Sequence, residues 1–275
     1  MREHRATINT LSAALVFLSA PGTVPAQPPA SDRARSQSDA AAQKPNTLTV
    51  AERAAGWRLL FDGKTMAGWH GLGFPEVPAG LWVVEDGAIK HVAHGKGPVQ
   101  ADGQPLTGMD LISDDGYQDF ELVWQWKISE SGNSGLKYNV SEELSSGMPP
   151  PHAAKGWEYQ MIDDEKNEDN KLATHRSGAL YDMLPPNDPK RVHPAGQWNR
   201  SAIVFRGSHG EHWLNGVRIV EFEVGSARFD SAFAKSKYHG YPEWFPVRRR
   251  GRIVLQDHGD VVWFRDLKIR ELTPH

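Results

Sequence analysis

Two polar pairs in this sequence have the residue types and spacing that acid–base chemistry needs. Glu158 and Gln160 lie two residues apart in the alternating segment 156–162, and Gln256 and His258 lie two apart after another apolar run. Side chains two residues apart on a strand share one face, so each pair presents its polar groups together. A carboxylate can serve as a general base, and an imidazole titrates near neutral pH. The simpler interpretation is a solvated strand face that leads into an acidic turn.

Other polar residues also invite a functional interpretation. In the segment 136–140, Lys137 and Asn139 alternate with apolar residues and should therefore share a strand face. His91 and His94 are candidate metal ligands, but the sequence shows no third ligand at a known spacing. Surface positions are the expectation for these two histidines.

Composition indicates a globular protein with one large domain. The 275 residues are 39% hydrophobic and 24% charged, as in ordinary folded proteins. The net charge of −3 and a single short basic run at 248–250 argue against a nucleic-acid partner. The sequence contains no cysteine, so stability must come from the core rather than from disulfides.

The N-terminus has the pattern of a secretory signal peptide. Arg2 and Arg5 precede the apolar run 11–20, and Val24-Pro25-Ala26 offers a small-residue cleavage site, which predicts removal of residues 1–26. The apolar run is too short to span a bilayer, so a retained anchor is the weaker alternative. We therefore expect a secreted or periplasmic protein with no stable membrane span after cleavage.

The remaining chain divides into a tether and an all-β domain. Residues 27–50 are rich in Ala, Pro, Gln and Ser and are predicted to form a disordered linker before a domain at 51–275. Asn215-Gly216 is a strong hairpin signal, and the segment 119–128 has one continuous apolar face. About a dozen such strands, with at most one short helix at 228–238, predict a sandwich of two antiparallel sheets.

Four sequence motifs, in this order, carry a family resemblance. They are Trp157-Glu158-Tyr159-Gln160-Met161-Ile162-Asp163-Asp164-Glu165, Gly178-Ala179-Leu180-Tyr181-Asp182, Glu211-His212-Trp213-Leu214-Asn215-Gly216 and Leu255-Gln256-Asp257-His258-Gly259. With these motifs, residues 54–272 resemble the 3-keto-disaccharide hydrolase family, which implies a concanavalin A-like jelly roll. The resemblance would place an Arg where Asn139 stands, and Lys137 could replace its charge.

The resemblance implies a carbohydrate-cleaving enzyme that acts on glycosides oxidised at C3. The ketone acidifies the hydrogen on C2, so a base can remove it, the C1 substituent can leave, and water can then add. Such a site needs a general base, a donor or metal for the enolate oxygen, and an acid for the leaving group. No nucleotide cofactor is needed.

The resemblance suggests a role for each candidate residue. Glu158 and His258 are the candidate base and acid. Sugar hydroxyls or the enolate would be bound by Lys137, Asn139, Gln160, Tyr181 and Gln256. A divalent cation chelated by the substrate is one further option, with Asp163, Asp257 and His175 as its ligands. Each of these three also has a structural interpretation: a turn former, an orienter of a neighbouring strand and a surface residue.

Two other functions fit the same fold. A non-catalytic carbohydrate-binding module, similar to a lectin, would rely on exposed aromatic residues and needs no cluster of acids with histidine. A retaining glucanase would need two acids flanking the scissile bond, whereas Glu158 and Gln160 supply one. The enzymatic interpretation requires Glu158, Gln160, Gln256 and His258 to converge in one pocket.

Overall fold

The structure, a computed structural model, describes residues 44–99, 108–147, 153–188, 190–241 and 245–273. The predicted signal peptide and residues 27–43 of the predicted linker lie outside these ranges. The end of that linker packs onto the domain. The backbone N–H of Asn46 donates to Asp266 Oδ1 at 3.1 Å, and Asn46 Nδ2 donates to the carbonyl of Gly87 at 2.8 Å. The described domain therefore begins before Ala51.

Thirteen β-strands in the described ranges form two antiparallel sheets. The strands are β1 Arg58–Leu59, β2 Trp69–Gly71, β3 Trp82–Glu85, β4 Ala88–His91, β5 Leu111–Tyr117, β6 Phe120–Ile128, β7 Asn133–Val140, β8 Trp157–Ile162, β9 Asn199–Arg206, β10 His209–Leu214, β11 Val217–Glu223, β12 Gly251–Leu255 and β13 Val262–Glu271. The larger sheet has the order β11-β10-β9-β6-β13-β4-β3, with β1 also paired to β13. The smaller sheet has the order β2-β5-β12-β7-β8. The predicted two-sheet sandwich is confirmed.

Three short α-helices accompany the sheets in the described part of the chain: α1 Val50–Ala54, α2 Glu142–Gly147 and α3 Ala227–Lys235. The side chain of Ser226 accepts a hydrogen bond from the N–H of Phe229 and so starts α3. The end of the predicted helix 228–238 is instead a separate 3-10 turn, Lys237–Gly240. Two helices of five and six residues add to the one that the sequence predicted.

Aromatic side chains from both sheets fill the space between them. Trp157 of β8 is fully buried and meets Phe205 of β9 edge to face, with ring centroids 4.9 Å apart. Trp124 and Trp126 of β6 are also fully buried. Since alternate residues leave on opposite faces, the inward side chains of β8 direct Glu158 to the outer face of the smaller sheet.

His212 of β10 is a polar residue inside this aromatic core. Its Nδ1 lies 3.0 Å from the carbonyl oxygen of Gly178, and its Nε2 lies 2.8 Å from the hydroxyl of Tyr138. A carbonyl only accepts, so Nδ1 carries the hydrogen and Nε2 accepts from Tyr138. Burial lowers the pKa of His212 to about 4, so the ring is neutral in the folded protein at neutral pH.

We expect His212 to make the fold sensitive to acid. In the unfolded chain this ring becomes protonated below its usual pKa near 6.5, whereas in the folded protein it becomes protonated only near pH 4. The stability contribution is thus lost as pH falls from 6.5 to 4, by roughly 3 kcal/mol at the lower end. Urea unfolding between pH 7 and 4 should show a flatter pH profile for His212→Gln than for the wild type. His239→Gln, at an exposed position, should keep the wild-type profile, and an unchanged slope in His212→Gln would contradict this account.

Candidate active site

The outer face of the smaller sheet carries a buried ion pair. The strand register places Val254 of β12, Lys137 of β7 and Glu158 of β8 in one row across three strands. Lys137 Nζ lies 3.8 Å from Glu158 Oε2, and both residues are buried. Charges are costly to bury unless they are paired, so a buried pair on the outer face of a sheet is a strong candidate for function.

Gly135 makes room for the Glu158 carboxylate. A Cβ on this residue would lie 2.7 Å from Glu158 Oε1, closer than real contacts allow. The carbonyl of Gly135 also accepts the backbone N–H of Gln256 at 3.0 Å, which holds the start of the loop after β12 beside β7. Gln256 Nε2 then reaches to 3.5 Å from Glu158 Oε2. The two distant motifs that contain Glu158 and Gln256 therefore meet at this carboxylate.

Asp110 is a second acid beside Lys137, and no motif of the sequence pointed to it. Its Oδ2 lies 3.8 Å from Lys137 Nζ. Each of its oxygens accepts a backbone N–H, Oδ1 from Asp257 at 2.8 Å and Oδ2 from Ala154 at 3.0 Å. Burial raises the pKa of Asp110, while Lys137 opposes that shift. Through these two hydrogen bonds and its proximity to Lys137, Asp110 fixes the Asp257 loop and the segment at Ala154 beside the lysine.

Lys237 adds a further positive charge near Glu158. Lys237 as a whole is exposed, yet its Nζ lies 4.2 Å from the ring centroid of Tyr181 and 5.3 Å from that of Tyr238. Desolvation lowers the pKa of Lys237; the charge of Glu158 opposes the shift and that of Lys137 adds to it. The N–H of Tyr181 donates to the carbonyl of Glu158 at 3.0 Å, which fixes Tyr181 beside the strand.

His175 lies behind Tyr181, between two carboxylates. Its Nδ1 is 2.7 Å from Asp169 Oδ1, and its Nε2 is 3.0 Å from Asp182 Oδ1. Its ring lies 4.4 Å from that of Tyr181. Desolvation alone would lower the pKa of His175, but hydrogen bonds to Asp182 and Asp169 outweigh it and raise that pKa. His175 therefore holds Tyr181 and the Asp182 turn in place beneath Lys237.

Comparison with known proteins decides the family. The sequence profile of the 3-keto-alpha-glucoside-1,2-lyase-like domain matches residues 56–270. This chain belongs to that family. A 3-keto-disaccharide hydrolase from Bacteroides thetaiotaomicron is 33% identical in an alignment of 244 positions that covers 82% of each chain. Together these findings make the protein a carbohydrate-active hydrolase.

Two solved structures support the same fold. A candidate glycosyl hydrolase from Parabacteroides distasonis aligns with a TM-score of 0.71 and 31% identity over 84% of this chain and 100% of its own. A second such protein from that organism aligns with a TM-score of 0.56 and 24% identity over 78% and 99% of the two chains. Within the described ranges, no helix is long and apolar enough to cross a membrane.

Two residues that the family resemblance places at the sugar have protein partners, and their contact with a sugar stays a prediction. Asn139 has a φ of 59°, where the register of β7 and β12 shifts. Its side chain donates to the carbonyl of Val247 at 2.7 Å and accepts from the N–H of Arg249 at 2.9 Å, so it holds that loop. Gln160 is buried, and its Nε2 donates to Asn133 Oδ1 at 3.2 Å.

His258 is exposed in the loop after β12. Strand alternation would place it beside Gln256, but β12 ends at Leu255, and the chain turns where Asp257 bonds to Asp110. Its role as the acid stays a prediction. The basic groups that the structure places near Glu158 are Lys137 and Lys237. Lys237 belongs to none of the four sequence motifs. It lies in the segment 228–238, which the sequence predicted only as a helix.

The three residues predicted to share a cation do not form one site. Within the described part of the chain, three His or acidic ligand atoms come within 4.8 Å of one another in only two groups, His91/His94/Asp257 and His209/Glu211/Glu221. Asp163 instead accepts the N–H groups of Ser131 at 2.8 Å and Glu165 at 3.1 Å, and so it forms a turn. Asp163, Asp257 and His175 are not grouped together in the described structure, and a cation held by them stays a prediction.

Proposed function

We propose that this protein cleaves 3-keto-glycosides, with 3-keto-disaccharides as the substrate class, by removing the proton on C2 and expelling the substituent on C1. The names of the family and of its curated relative support this substrate class. The N-terminal pattern of Arg2, Arg5 and the apolar run 11–20 supports export of the chain to a secreted or periplasmic location.

The observation that carries the proposal is the Glu158 carboxylate, buried on the outer sheet face beside Lys137. A general base near C2 must accept a proton, and the carboxylate that this sheet face presents for that role is Glu158, with the Lys137 ammonium 3.8 Å away. As the proton leaves, negative charge develops on the C3 oxygen. Lys137 would stabilise that oxygen, since a fixed positive group acts most strongly where water is excluded and this lysine is buried.

The remaining steps balance in protons and electrons. Removal of the C2 proton leaves its electron pair in the enolate. Those electrons then form the C1–C2 double bond as the C1–O bond breaks, and the leaving oxygen takes a proton. Lys237 is our choice for that acid, because its lowered pKa makes its ammonium a better proton donor. Water then adds its hydroxyl to C1, and C2 regains a proton, which gives net hydrolysis. Release of the unsaturated product before hydration would make the protein a lyase.

The same geometry disfavours the alternative functions. A binding module would present exposed aromatic side chains, whereas this site presents a buried carboxylate and lysine. A retaining glucanase needs a second carboxylate about 5–5.5 Å from the first. The cross-strand neighbour of Glu158 is Lys137 rather than a second acid.

The test uses exported protein, whose intact mass should show that it begins at Gln27. Incubation with a 3-keto-disaccharide should release both sugars, and the parent disaccharide without the ketone should be inert, because its C2 hydrogen is not acidic. In deuterated water, the product formed at early times should carry deuterium on C2. Equal cleavage of the parent would contradict the substrate class. Product without deuterium at C2, from a label-stable substrate, would instead favour direct displacement at C1.

A further inference from the structure

Three potential metal ligands from distant parts of the chain meet at one end of the sandwich. His91 ends β4 of the larger sheet, His94 follows it by three residues, and Asp257 lies in the loop after β12 of the smaller sheet. Their ligand atoms all lie within 4.8 Å of one another. Asp257 Oδ1 is 3.0 Å from His91 Nε2 and 2.8 Å from His94 Nε2. The side chains of His91 and Asp257 are fully buried, whereas that of His94 is partly exposed.

His91 has a buried nitrogen without a hydrogen-bond partner. Its Nδ1 lies 2.8 Å from the carbonyl oxygen of Asp260, which only accepts, so Nδ1 carries a hydrogen. Its Nε2 makes no hydrogen bond, although Asp257 Oδ1 is only 3.0 Å away, because the oxygen lies off the direction that a hydrogen bond requires. In a neutral ring the lone pair of this buried Nε2 has no donor from which to accept. A cation bound by both His91 Nε2 and Asp257 Oδ1 would satisfy it.

We propose that His91, His94 and Asp257 bind one divalent transition-metal cation of the Zn²⁺ class. Two imidazole nitrogens and one carboxylate oxygen suit Zn²⁺, Co²⁺ or Ni²⁺, whereas Mg²⁺ and Ca²⁺ prefer oxygen ligands throughout. The partly exposed side of His94 leaves a direction open for water as a fourth ligand. The hydrogen bond from His91 Nδ1 to the carbonyl of Asp260 orients that ring, as outer partners do for metal-bound histidines.

The surrounding loop is shaped to hold these ligands. Gly259 donates its N–H to Asp257 Oδ1 at 3.0 Å, and its carbonyl accepts the N–H of His94 at 3.0 Å. Gly259 has a φ of 94°, and a Cβ there would lie 2.9 Å from His94 Nδ1. A side chain at this position would therefore displace the histidine. The loop fits only with glycine, which keeps His94 over the carboxylate.

The metal would join the two sheets and secure one edge of the candidate active site. His91 belongs to the larger sheet, and Asp257 directly follows Gln256, which reaches Glu158. The N–H of Asp257 also bonds to Asp110, which positions Lys137. Binding should therefore raise the melting temperature and order the loop that carries Gln256. This metal site uses neither Glu158 nor Lys137, so it stands whether or not the proposed reaction is correct.

Metal content and spectroscopy test the site without any substrate. The full-length mature protein, stripped with a chelator and desalted, should take up one equivalent of Zn²⁺ by elemental analysis. Co²⁺ should bind in its place and give visible absorption bands of a low-coordinate nitrogen and oxygen site. Free Zn²⁺ at about 100 times its dissociation constant should raise the melting temperature of the protein by about 5–10 °C.

Two variants and a matched control separate this site from adventitious binding. His94→Ala, at a partly exposed position, should still fold. Its affinity for Zn²⁺ should fall by more than the loss of about 10–100-fold that follows when only an outer-shell partner of a ligand is changed. Asp257→Asn should lose the Co²⁺ bands. His209→Ala, in the other group of potential ligands, should bind like the wild type. Less than stoichiometric uptake by the wild type, or unchanged binding in His94→Ala, would overturn the proposal and leave a His–Asp–His hydrogen-bond network in its place.

Discussion

Replacing Glu158 with glutamine should lower turnover of a 3-keto-disaccharide by about 10²–10⁴-fold, the contribution of a positioned general base. The change keeps the shape of the side chain and removes its ability to accept a proton. Gly135 leaves the space that the side chain occupies, and Gln256 Nε2, 3.5 Å from Oε2, can still donate to an amide oxygen. Substrate binding should therefore change little, so the loss should appear in kcat rather than in KM.

A matched control makes this result specific. Glu76→Gln removes a carboxylate at an exposed position and should leave kcat unchanged. Rates should be measured at saturating substrate, and exchange of the C2 hydrogen with deuterated solvent should slow in parallel with turnover. If Glu158→Gln keeps wild-type kcat while His258→Gln loses activity, then the base is His258 and the role that we give to Glu158 is wrong.

The sequence predicted the parts of the site that follow from strand alternation. Inward aromatic residues on β8 require Glu158 to face outward, and the hydrophobic pattern alone shows this. That Gln256 reaches Glu158 depends on β12 lying next to β7, and strand order cannot be obtained from local pattern. Gly135 matters because it has no Cβ beside Glu158, which only the register of β7 with β8 reveals.

Some predictions assumed that strand alternation continues past a bulge or past the end of a strand, and the structure differs at those places. Asn139 lies at a register shift with positive φ, so its side chain bonds to the loop at 247–249 rather than continuing the face of Lys137. β12 ends before Gln256, so His258 does not continue its face. His91 and His94 were expected at the surface, whereas His91 is fully buried and both contact Asp257, which lies 163 residues beyond His94 along the chain. Bulges, strand ends and distant contacts depend on tertiary packing, which local periodicity does not encode.

Replacing Lys137 with methionine should reduce both activity and stability. Lys137 would stabilise the developing enolate, and loss of one such preorganised group typically costs about 10²–10³-fold in kcat. The same change leaves the buried Glu158 carboxylate without its cation, which should destabilise the fold by about 3 kcal/mol. Lys171→Met breaks an ion pair with Glu168 that is largely exposed. Because exposed pairs contribute little to stability, that control should leave both the urea-unfolding midpoint and kcat nearly unaltered.

The double variant Lys137→Met/Glu158→Gln separates the two effects of Lys137. A neutral glutamine in place of Glu158 no longer needs a cation, whereas the buried Asp110 carboxylate, also 3.8 Å from Lys137 Nζ, still does. The double variant should therefore recover part of the stability that Lys137→Met loses, in a coupling measurable by urea unfolding. Its turnover should stay at least as low as that of Glu158→Gln, because both the base and the enolate-stabilising group are gone. A double variant as unstable as Lys137→Met would show that Asp110 or the stem of Lys137, rather than the pairing with Glu158, accounts for the loss. Wild-type turnover in Lys137→Met would remove this ammonium from the mechanism and leave Lys237, whose Nζ packs against Tyr181, as the cation available to the C3 oxygen.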